Sequence, residues 1–145
     1  MKITYRGDYA LKAVLDLSRR YGELVTINDM ARRIDAPVKF LEQVLLELKK
    51  GGFVKSKRGK VGGYLLARMP EAISVGDVIR FIDGPIGPIA CVEKDYSECR
   101  DVYNCVFRSI WQKVNRATLE IVDNVNFGDL VSRAELARPV FSYVI

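Results

Sequence analysis

Histidine is absent from this sequence, and its absence excludes several kinds of site. A Ser-His-Asp or Cys-His nucleophile needs an imidazole base, and a His-ligated metal needs an imidazole nitrogen. The sequence also lacks a G-x-x-x-x-G-K-S/T phosphate loop and a dinucleotide-binding fingerprint after a strand. We therefore expect neither an enzyme nor a small-molecule substrate.

Long apolar runs are missing as well. No stretch approaches the roughly 20 apolar residues that a membrane helix needs, and the first residues, MKITYRGDYAL, lack an apolar signal segment. The chain has only three cysteines, which cannot all pair with one another, so a secreted disulfide framework is not indicated. We expect a cytoplasmic protein without membrane contact.

The composition that remains is that of a small basic globular protein. The chain has 145 residues, of which 49% are hydrophobic and 28% are charged, enough to form one compact domain or a small domain with an extension. Its net charge of +5 and sequence pI near 9.2 suit a polyanionic partner. Charge alone does not identify that partner.

Residues 26–66 predict two short helices followed by a hairpin. Thr26 precedes a helical run and Asp29 follows three residues later, as in a capping box. The segment Asp35-Ala36-Pro37 predicts a tight turn, because proline fits the first turn of a helix and not the interior of the preceding one. Gly51-Gly52 ends the second helix, which we expect over about Pro37–Lys50.

The second of these helices is amphipathic. Its apolar residues recur at the helical period and predict a buried arc of Val38, Leu41, Val44, Leu45 and Leu48. The first residues of the polar arc, Lys39, Glu42 and Gln43, could reach base edges, since Gln pairs with adenine and Glu accepts from cytosine. The alternative is that they are ordinary surface residues.

The hairpin carries a cluster of positive charge. Residues 53–57 and 63–66 predict its two strands, and the segment around the turn contains Lys55, Lys57, Arg58 and Lys60. Such a loop can follow a phosphate backbone or place an Arg in the minor groove, although a solvated basic hairpin is the alternative. The order helix, turn, helix, wing favours DNA binding.

Four further helices are expected outside this stretch. Asp8 stands at the N-cap position of the first of them, and Ser74 with Asp77 predicts a capped start for the second. The predicted helices span residues 9–21, 75–82, 106–124 and 127–136. The third is about 28 Å long, and a helix of that length is expected to pack against a twin in a dimer or, alternatively, against its own domain.

All three cysteines lie in the loop of residues 84–105, with the spacing C-x7-C-x5-C. Their neighbours are polar, whereas structural cysteines usually have apolar neighbours. Thiolates gathered on a loop suit a soft metal or an iron–sulfur cluster, but a thiol switch fits the same residues. From the residues alone both alternatives remain.

Five short motifs are distributed along the chain. They are MKITYRGDYAL at residues 1–11, FLEQ at 40–43, RGKVGGY at 58–64, ISVGDVI at 73–79 and FGDL at 127–130. In these motifs the chain resembles the IscR/NsrR/RirA/CymR-type transcription regulators over nearly its whole length. The resemblance implies a mainly α fold, in which a winged helix-turn-helix domain with a two-stranded β wing precedes a long dimerisation helix. It also implies base contacts from Glu42 and Gln43 and a minor-groove contact from Arg58.

The same resemblance implies what the cysteine loop binds. Many members hold an iron–sulfur cluster on three cysteines here, which implies Cys91, Cys99 and Cys105 as ligands. Some members use a histidine three residues after the last cysteine, where this chain has Arg108. NsrR-like members use an N-terminal aspartate of the other subunit, and Asp8 occupies that position, so a ligand role competes with its helix-cap role. We expect a [4Fe–4S] cluster; a [2Fe–2S] cluster and a cluster-free protein are the alternatives.

Taken together, these features predict a homodimeric, sequence-specific regulator that represses transcription at a palindromic double-stranded DNA site. Residues 1–83 would form the DNA-binding domain, 84–105 the sensor loop, and 106–145 the dimerisation helix and tail. The predicted DNA contacts are Lys39, Glu42, Gln43, Arg58 and Lys60. A cluster in the loop would fix the relative placement of the two DNA-reading heads of the dimer. Its loss, oxidation or nitrosylation would release that constraint and change the affinity for DNA. The alternative is a cluster-free regulator of the same fold, controlled by thiol oxidation or a protein partner.

Overall fold

A computed structural model of the chain describes residues 1–137. The predicted tail of residues 138–145 lies outside the described part. In chain order the elements are α1 (Tyr5–Arg19), α2 (Ile27–Ile34), α3 (Val38–Lys50), β1 (Val54–Lys57), β2 (Gly63–Leu66), α4 (Val75–Asp83), α5 (Arg108–Asn124) and α6 (Phe127–Leu136). Short 3₁₀ turns occur at Pro70–Ala72 and Ala90–Val92. The predicted mainly α fold with a two-stranded wing is confirmed.

One apolar core joins α1, α2, α3, the hairpin, α4 and the start of α6. The inner arc of α3 is buried apart from Val38, which is exposed. The buried side chains of α1 include Ala10, Ala13, Val14 and Leu17. Phe127 is among the largest buried side chains, and its N–H donates to the Ile73 carbonyl at 3.0 Å. The start of α6 thus packs in the same core as α1–α4, while the predicted division into three segments stays a prediction.

The first helix begins earlier than its sequence pattern suggested. Thr4 is the N-cap, and its hydroxyl accepts a hydrogen bond from the Gly7 N–H at 3.1 Å. The Asp8 N–H already donates to the Thr4 carbonyl at 2.9 Å, so Asp8 lies inside the first turn. The expectation that Asp8 caps the helix was therefore wrong. Tyr21 lies beyond the helix end and is exposed.

The turn between α2 and α3 forms as predicted. The Thr26 hydroxyl accepts from the Asp29 N–H at 3.2 Å and begins α2. Asp35 adopts the left-handed conformation with φ 53°, which ends α2 and reverses the chain. Pro37 is the N-cap of α3, where its missing N–H costs no helical hydrogen bond.

The hairpin is an antiparallel pair in which Val54 lies opposite Leu66 and Ser56 opposite Tyr64. Tyr64 also forms an isolated antiparallel bridge with Val25, in the segment before α2. At the turn, the Gly62 N–H donates to the Gly59 carbonyl at 3.0 Å. The bridge between Tyr64 and Val25 holds the wing next to the helix-turn-helix unit.

The helices after the hairpin follow their predicted limits closely. The Ser74–Asp77 capping box is present at the start of α4, α5 begins at Arg108, and α6 has the predicted bounds. No residue of α5 is buried in this single chain. No helix among residues 1–137 combines the length and apolar character needed to cross a membrane.

A buried carboxylate connects α1 to α2. The side chain of Asp16 is only 7% exposed, and Arg33 donates to it through Nε and Nη2, both at 2.8 Å. Arg20 adds a third bond at 3.0 Å. The Asp16 hydrogen bond, more than its charge, raises the pKa of Arg33. Two parallel hydrogen bonds between a guanidinium and a carboxylate form a stronger interaction than a single surface ion pair.

We predict that Arg33→Ala lowers the free energy of unfolding by about 2 kcal/mol, because it leaves a buried carboxylate with one partner. Arg32→Ala is the matched control, since Arg32 is 78% exposed and its surface pair with Asp29 contributes less than about 1 kcal/mol. Urea unfolding at one protein concentration measures both. Equal losses from the two variants would contradict the role of the Asp16 pair.

Candidate nucleic-acid interface and cysteine loop

The outer face of α3 (Lys39, Glu42, Gln43, Leu46 and Lys50) lies opposite the buried arc. All five residues are exposed, whereas Leu41, Val44, Leu45 and Leu48 are buried. At about 100° per residue, the outer face spans roughly a third of the helix circumference. The structure thus brings the three predicted base-contacting residues onto one accessible surface.

Contacts on both sides of α3 hold this face in place. On one side, the Tyr9 ring of α1 meets Phe40 edge to face at 5.4 Å. Farther along the same side, Arg6 forms an ion pair with Glu47 at 3.4 Å. These contacts fix the position of α3 relative to the start of α1.

The wing lies against the other side of α3. Lys49 donates to the Ser56 hydroxyl at 2.6 Å. The pKa of the Tyr64 phenol is raised, first by partial burial and then by the negative charge of Glu42. Because Ser56 and Tyr64 are cross-strand partners, one rung of the hairpin flanks the outer face of α3.

The tip of the wing is accessible. Arg58, Lys60 and Val61 are all exposed, and Gly59 has φ 119°, a conformation that favours glycine. A Cβ at Gly62 would lie 2.6 Å from the Lys57 carbonyl oxygen, so the turn also requires its small size. Arg58 and Lys60 are thereby presented on a tight turn beside α3.

The cysteine loop connects the end of α4 to the start of α5. Cys91 lies in the 3₁₀ turn and is half-buried, Cys99 is exposed and Cys105 is half-buried. All three are free thiols. Within residues 1–137, no group of three or more Cys, Asp or Glu side chains is arranged to hold a metal ion. The three predicted sulfur ligands therefore share a loop without converging in the single chain.

One contact in this loop was missed from the sequence. The Arg108 side chain donates through Nε to the Cys91 carbonyl at 3.2 Å. It spans 17 positions of the chain and links the first cysteine to the residue that begins α5. No local pattern marks such a bond, and Arg108 had been noted only as the residue at a histidine position.

The loop is also rich in negative charge. The pKa of the Tyr96 phenol is raised by desolvation first, then by Glu98, Cys99, Cys91 and Glu93. Negative charge on Cys91 and Cys99 therefore acts on the pKa of the Tyr96 phenol.

Asp8 lies in the first turn of α1. Its carboxylate is 48% exposed and pairs with Lys12 at 2.7 Å, a hydrogen bond that raises the pKa of Lys12. It lines an open surface cavity of about 660 Å³ together with the first residues of the chain, Lys2, Ile3, Thr4 and Tyr5. Asp8 is thus accessible to a second molecule.

Comparisons with known proteins agree with this architecture. The chain is 36% identical over 138 residues to an rrf2-like HTH-type transcriptional regulator of Rhodobacter capsulatus, covering 90% of this chain and 92% of that protein. The structure of CymR, the global cysteine regulator of B. subtilis, matches with a TM-score of 0.77 and 32% identity, over 92% of this chain and 98% of that one. T. potens IscR matches with a TM-score of 0.74 and 34% identity, over 95% and 91%.

These relatives are transcription regulators and not enzymes, which confirms the regulator predicted from the sequence. The family model described as Rrf2, iron-dependent transcriptional regulator, matches residues 3–133. With a match of that extent and relatives aligned over nearly their whole length, the chain belongs to the Rrf2 family of transcription regulators.

Proposed function

We propose that this chain is a homodimeric repressor whose affinity for a palindromic DNA site is controlled by an iron–sulfur cluster in the cysteine loop. One observation carries the proposal: three free thiols occupy the segment that joins the DNA-binding half to α5. Binding of a cluster to those thiols, or their oxidation, would act on the segment that connects α4 with α5. The signal would be redox state, nitric oxide or iron supply.

The outer face of α3 is the part that would enter the major groove. In this proposal Glu42 and Gln43 contact base edges, and Lys39 contacts the first bases or the adjacent phosphates. Arg58 enters the minor groove from the wing, and Lys60 contacts the backbone. The exposure of all five residues on neighbouring surfaces supports this assignment.

The exposed apolar side of α5 supports the dimer. Large apolar side chains along and just before the helix remain exposed in the single chain, namely Val106, Phe107, Ile110, Trp111, Val114 and Ile121. Removing them from water would favour association with a second α5. A two-fold axis there would place two α3 helices on half-sites separated by one or two turns of DNA.

The donor set of the loop fits an iron–sulfur cluster. Three thiols in a chain without histidine are soft sulfur ligands, which iron in such clusters prefers. Cys91, Cys99 and Cys105 would hold the cluster, with Asp8 of a second subunit as the fourth ligand. When bound, the cluster supplies a centre sensitive to oxidation, nitric oxide and iron supply. A [4Fe–4S] cluster is the proposed type.

The two ends of the loop are held by separate contacts. Just before it, the Asp83 carboxylate accepts from the Thr4 N–H at 3.0 Å, which ties the end of α4 to the start of α1. Just after it, Arg108 holds the Cys91 turn to α5. Gathering the three thiols would close the loop between these anchors and shift α5 relative to α4. That shift would reach the partner subunit through α5.

A cluster-free regulator is the second candidate. Cys99 is exposed and free, which makes its thiol available to oxidants. The similarity to CymR, described as a global cysteine regulator, supports control by thiol chemistry or by a protein partner. The DNA-binding assignment is the same in both candidates.

We predict that Arg58→Ala weakens DNA binding about tenfold, because it removes a cation from the minor groove. The probe is a duplex recovered by wild-type protein from a randomised library, titrated at fixed salt. Arg133→Ala, which removes an exposed Arg from α6, is the matched control and should bind like wild type. Unchanged binding by Arg58→Ala would refute the wing assignment.

We predict that anaerobically purified protein is brown and contains about four irons and four sulfides per chain. Cys99→Ala should lose most of this iron, because one ligand is removed, whereas Ser97→Ala on the same loop should keep it. About two irons and two sulfides would instead indicate a [2Fe–2S] cluster. A protein that stays colourless after reconstitution would favour the cluster-free candidate.

We predict that Asp8→Ala speeds cluster loss to an iron chelator, measured by the decay of visible absorbance. Lys12→Ala is the control, because it breaks the same ion pair but keeps the carboxylate. Because the pair is exposed to solvent, both substitutions should leave the free energy of unfolding almost unchanged. Equal cluster lifetimes in the two variants would rule out Asp8 as a ligand.

A further inference from the structure

We propose that Leu46 is a specificity-determining residue that contacts the 5-methyl group of a thymine in the major groove. This contact rests on the function proposed above, since it requires α3 to lie in that groove. It adds an apolar contact to the polar ones of Glu42 and Gln43. The helical period places Leu46 among the polar residues of this face.

The position of Leu46 on the helix is the first observation. At about 100° per residue, it lies roughly 20° from Lys39, 40° from Glu42 and 60° from Gln43 around the axis. It follows Glu42 by four residues, or about one turn along the helix. Leu46 therefore extends the outer face of α3 in the direction of the groove.

Its surroundings are the second observation. Leu46 is 48% exposed and does not belong to the apolar core or to the side chains packed against it. Glu42 and Lys49, on the wing side of α3, are next to Tyr64 and Ser56 of the hairpin. Leu46 lies between them along the helix, and the wing flanks it without covering it. An apolar side chain is thus presented on a polar surface.

Charge complementarity identifies what covers Leu46. Lys39, Lys49 and Lys50 surround it on α3, and the wing adds Arg58 and Lys60. Of the two acidic residues near Leu46 on α3, Glu42 shares the outer face and Glu47 is paired with Arg6. A surface of this charge suits a nucleic acid, and the apolar group that the major groove offers is the thymine methyl. A leucine at this position can therefore distinguish thymine from cytosine.

The test removes the methyl group from the DNA and the side chain from the protein. Each thymine of the library-selected duplex is replaced in turn by deoxyuridine, which keeps base pairing and loses only the methyl group. Wild type, Leu46→Ala and the control Leu136→Ala, which truncates an exposed leucine of α6, are titrated against every duplex.

At one or more positions, loss of the methyl group should weaken wild-type binding about fourfold, because burial of one methylene-sized group changes an equilibrium constant by about that factor. Leu46→Ala should bind the unmodified duplex about fourfold more weakly, and replacing thymine by deoxyuridine at that position should no longer weaken its binding. Leu136→Ala should respond to the same replacement as wild type does. If every deoxyuridine effect is equal in wild type and Leu46→Ala, or if no thymine methyl contributes, the contact does not exist.

This result is distinguishable from failure of the proposed function. If no duplex is enriched by wild-type protein, or if Arg58→Ala binds the enriched duplex like wild type, the proposed DNA-reading surface is refuted and the Leu46 contact falls with it. If a duplex is enriched and Arg58→Ala weakens binding, but residue 46 shows no coupling to any methyl, only the Leu46 contact is refuted.

Discussion

Burial of the inner arc of α3 is the interaction on which the rest of the structure depends. Leu41, Val44, Leu45 and Leu48 are almost completely removed from water, and each contributes about 2 kcal/mol by its burial. A helix with one apolar side has a single orientation in which that side is covered. The same constraint that forms the core therefore turns Lys39, Glu42 and Gln43 outward.

Polar contacts then set the positions of the elements around this core. The Asp16 carboxylate of α1 accepts a hydrogen bond from Arg33 of α2, and the Asp83 carboxylate of α4 accepts one from the Thr4 N–H at the start of α1. The Asp123 carboxylate of α5 accepts from Arg80 of α4 at 2.8 Å. Each is a charged contact between elements distant in sequence. Arg80 and Asp83 both lie in the last turn of α4, so the end of α4 that precedes the cysteine loop is connected to α1 and to α5.

Regulators with different descriptions share the fold of this chain. Relatives described as a global cysteine regulator and as IscR have the same fold as this chain, with TM-scores of 0.77 and 0.74. The DNA-binding part depends on helix packing and a wing, whereas the proposed control depends on three side chains in a loop. A loop outside the core can change its chemistry without loss of the fold.

The sequence by itself determined the features that depend on neighbours a few residues apart. The turn at Asp35, the capping box at Ser74, the limits of α6 and the outward face of α3 all follow from hydrogen bonds and periodicities within one or two helical turns. The chemical identity of the candidate site, with its basic wing and three cysteines, was also readable from composition and spacing.

Only the tertiary structure decided which distant groups meet. It brought the N–H and the hydroxyl of Thr4, the residue before α1, against the Asp83 carboxylate at the end of α4. It placed Phe127 in the main core and Arg108 against the Cys91 carbonyl. These contacts depend on how helices pack after they form, and that packing energy is shared among many residues, so no local pattern records it.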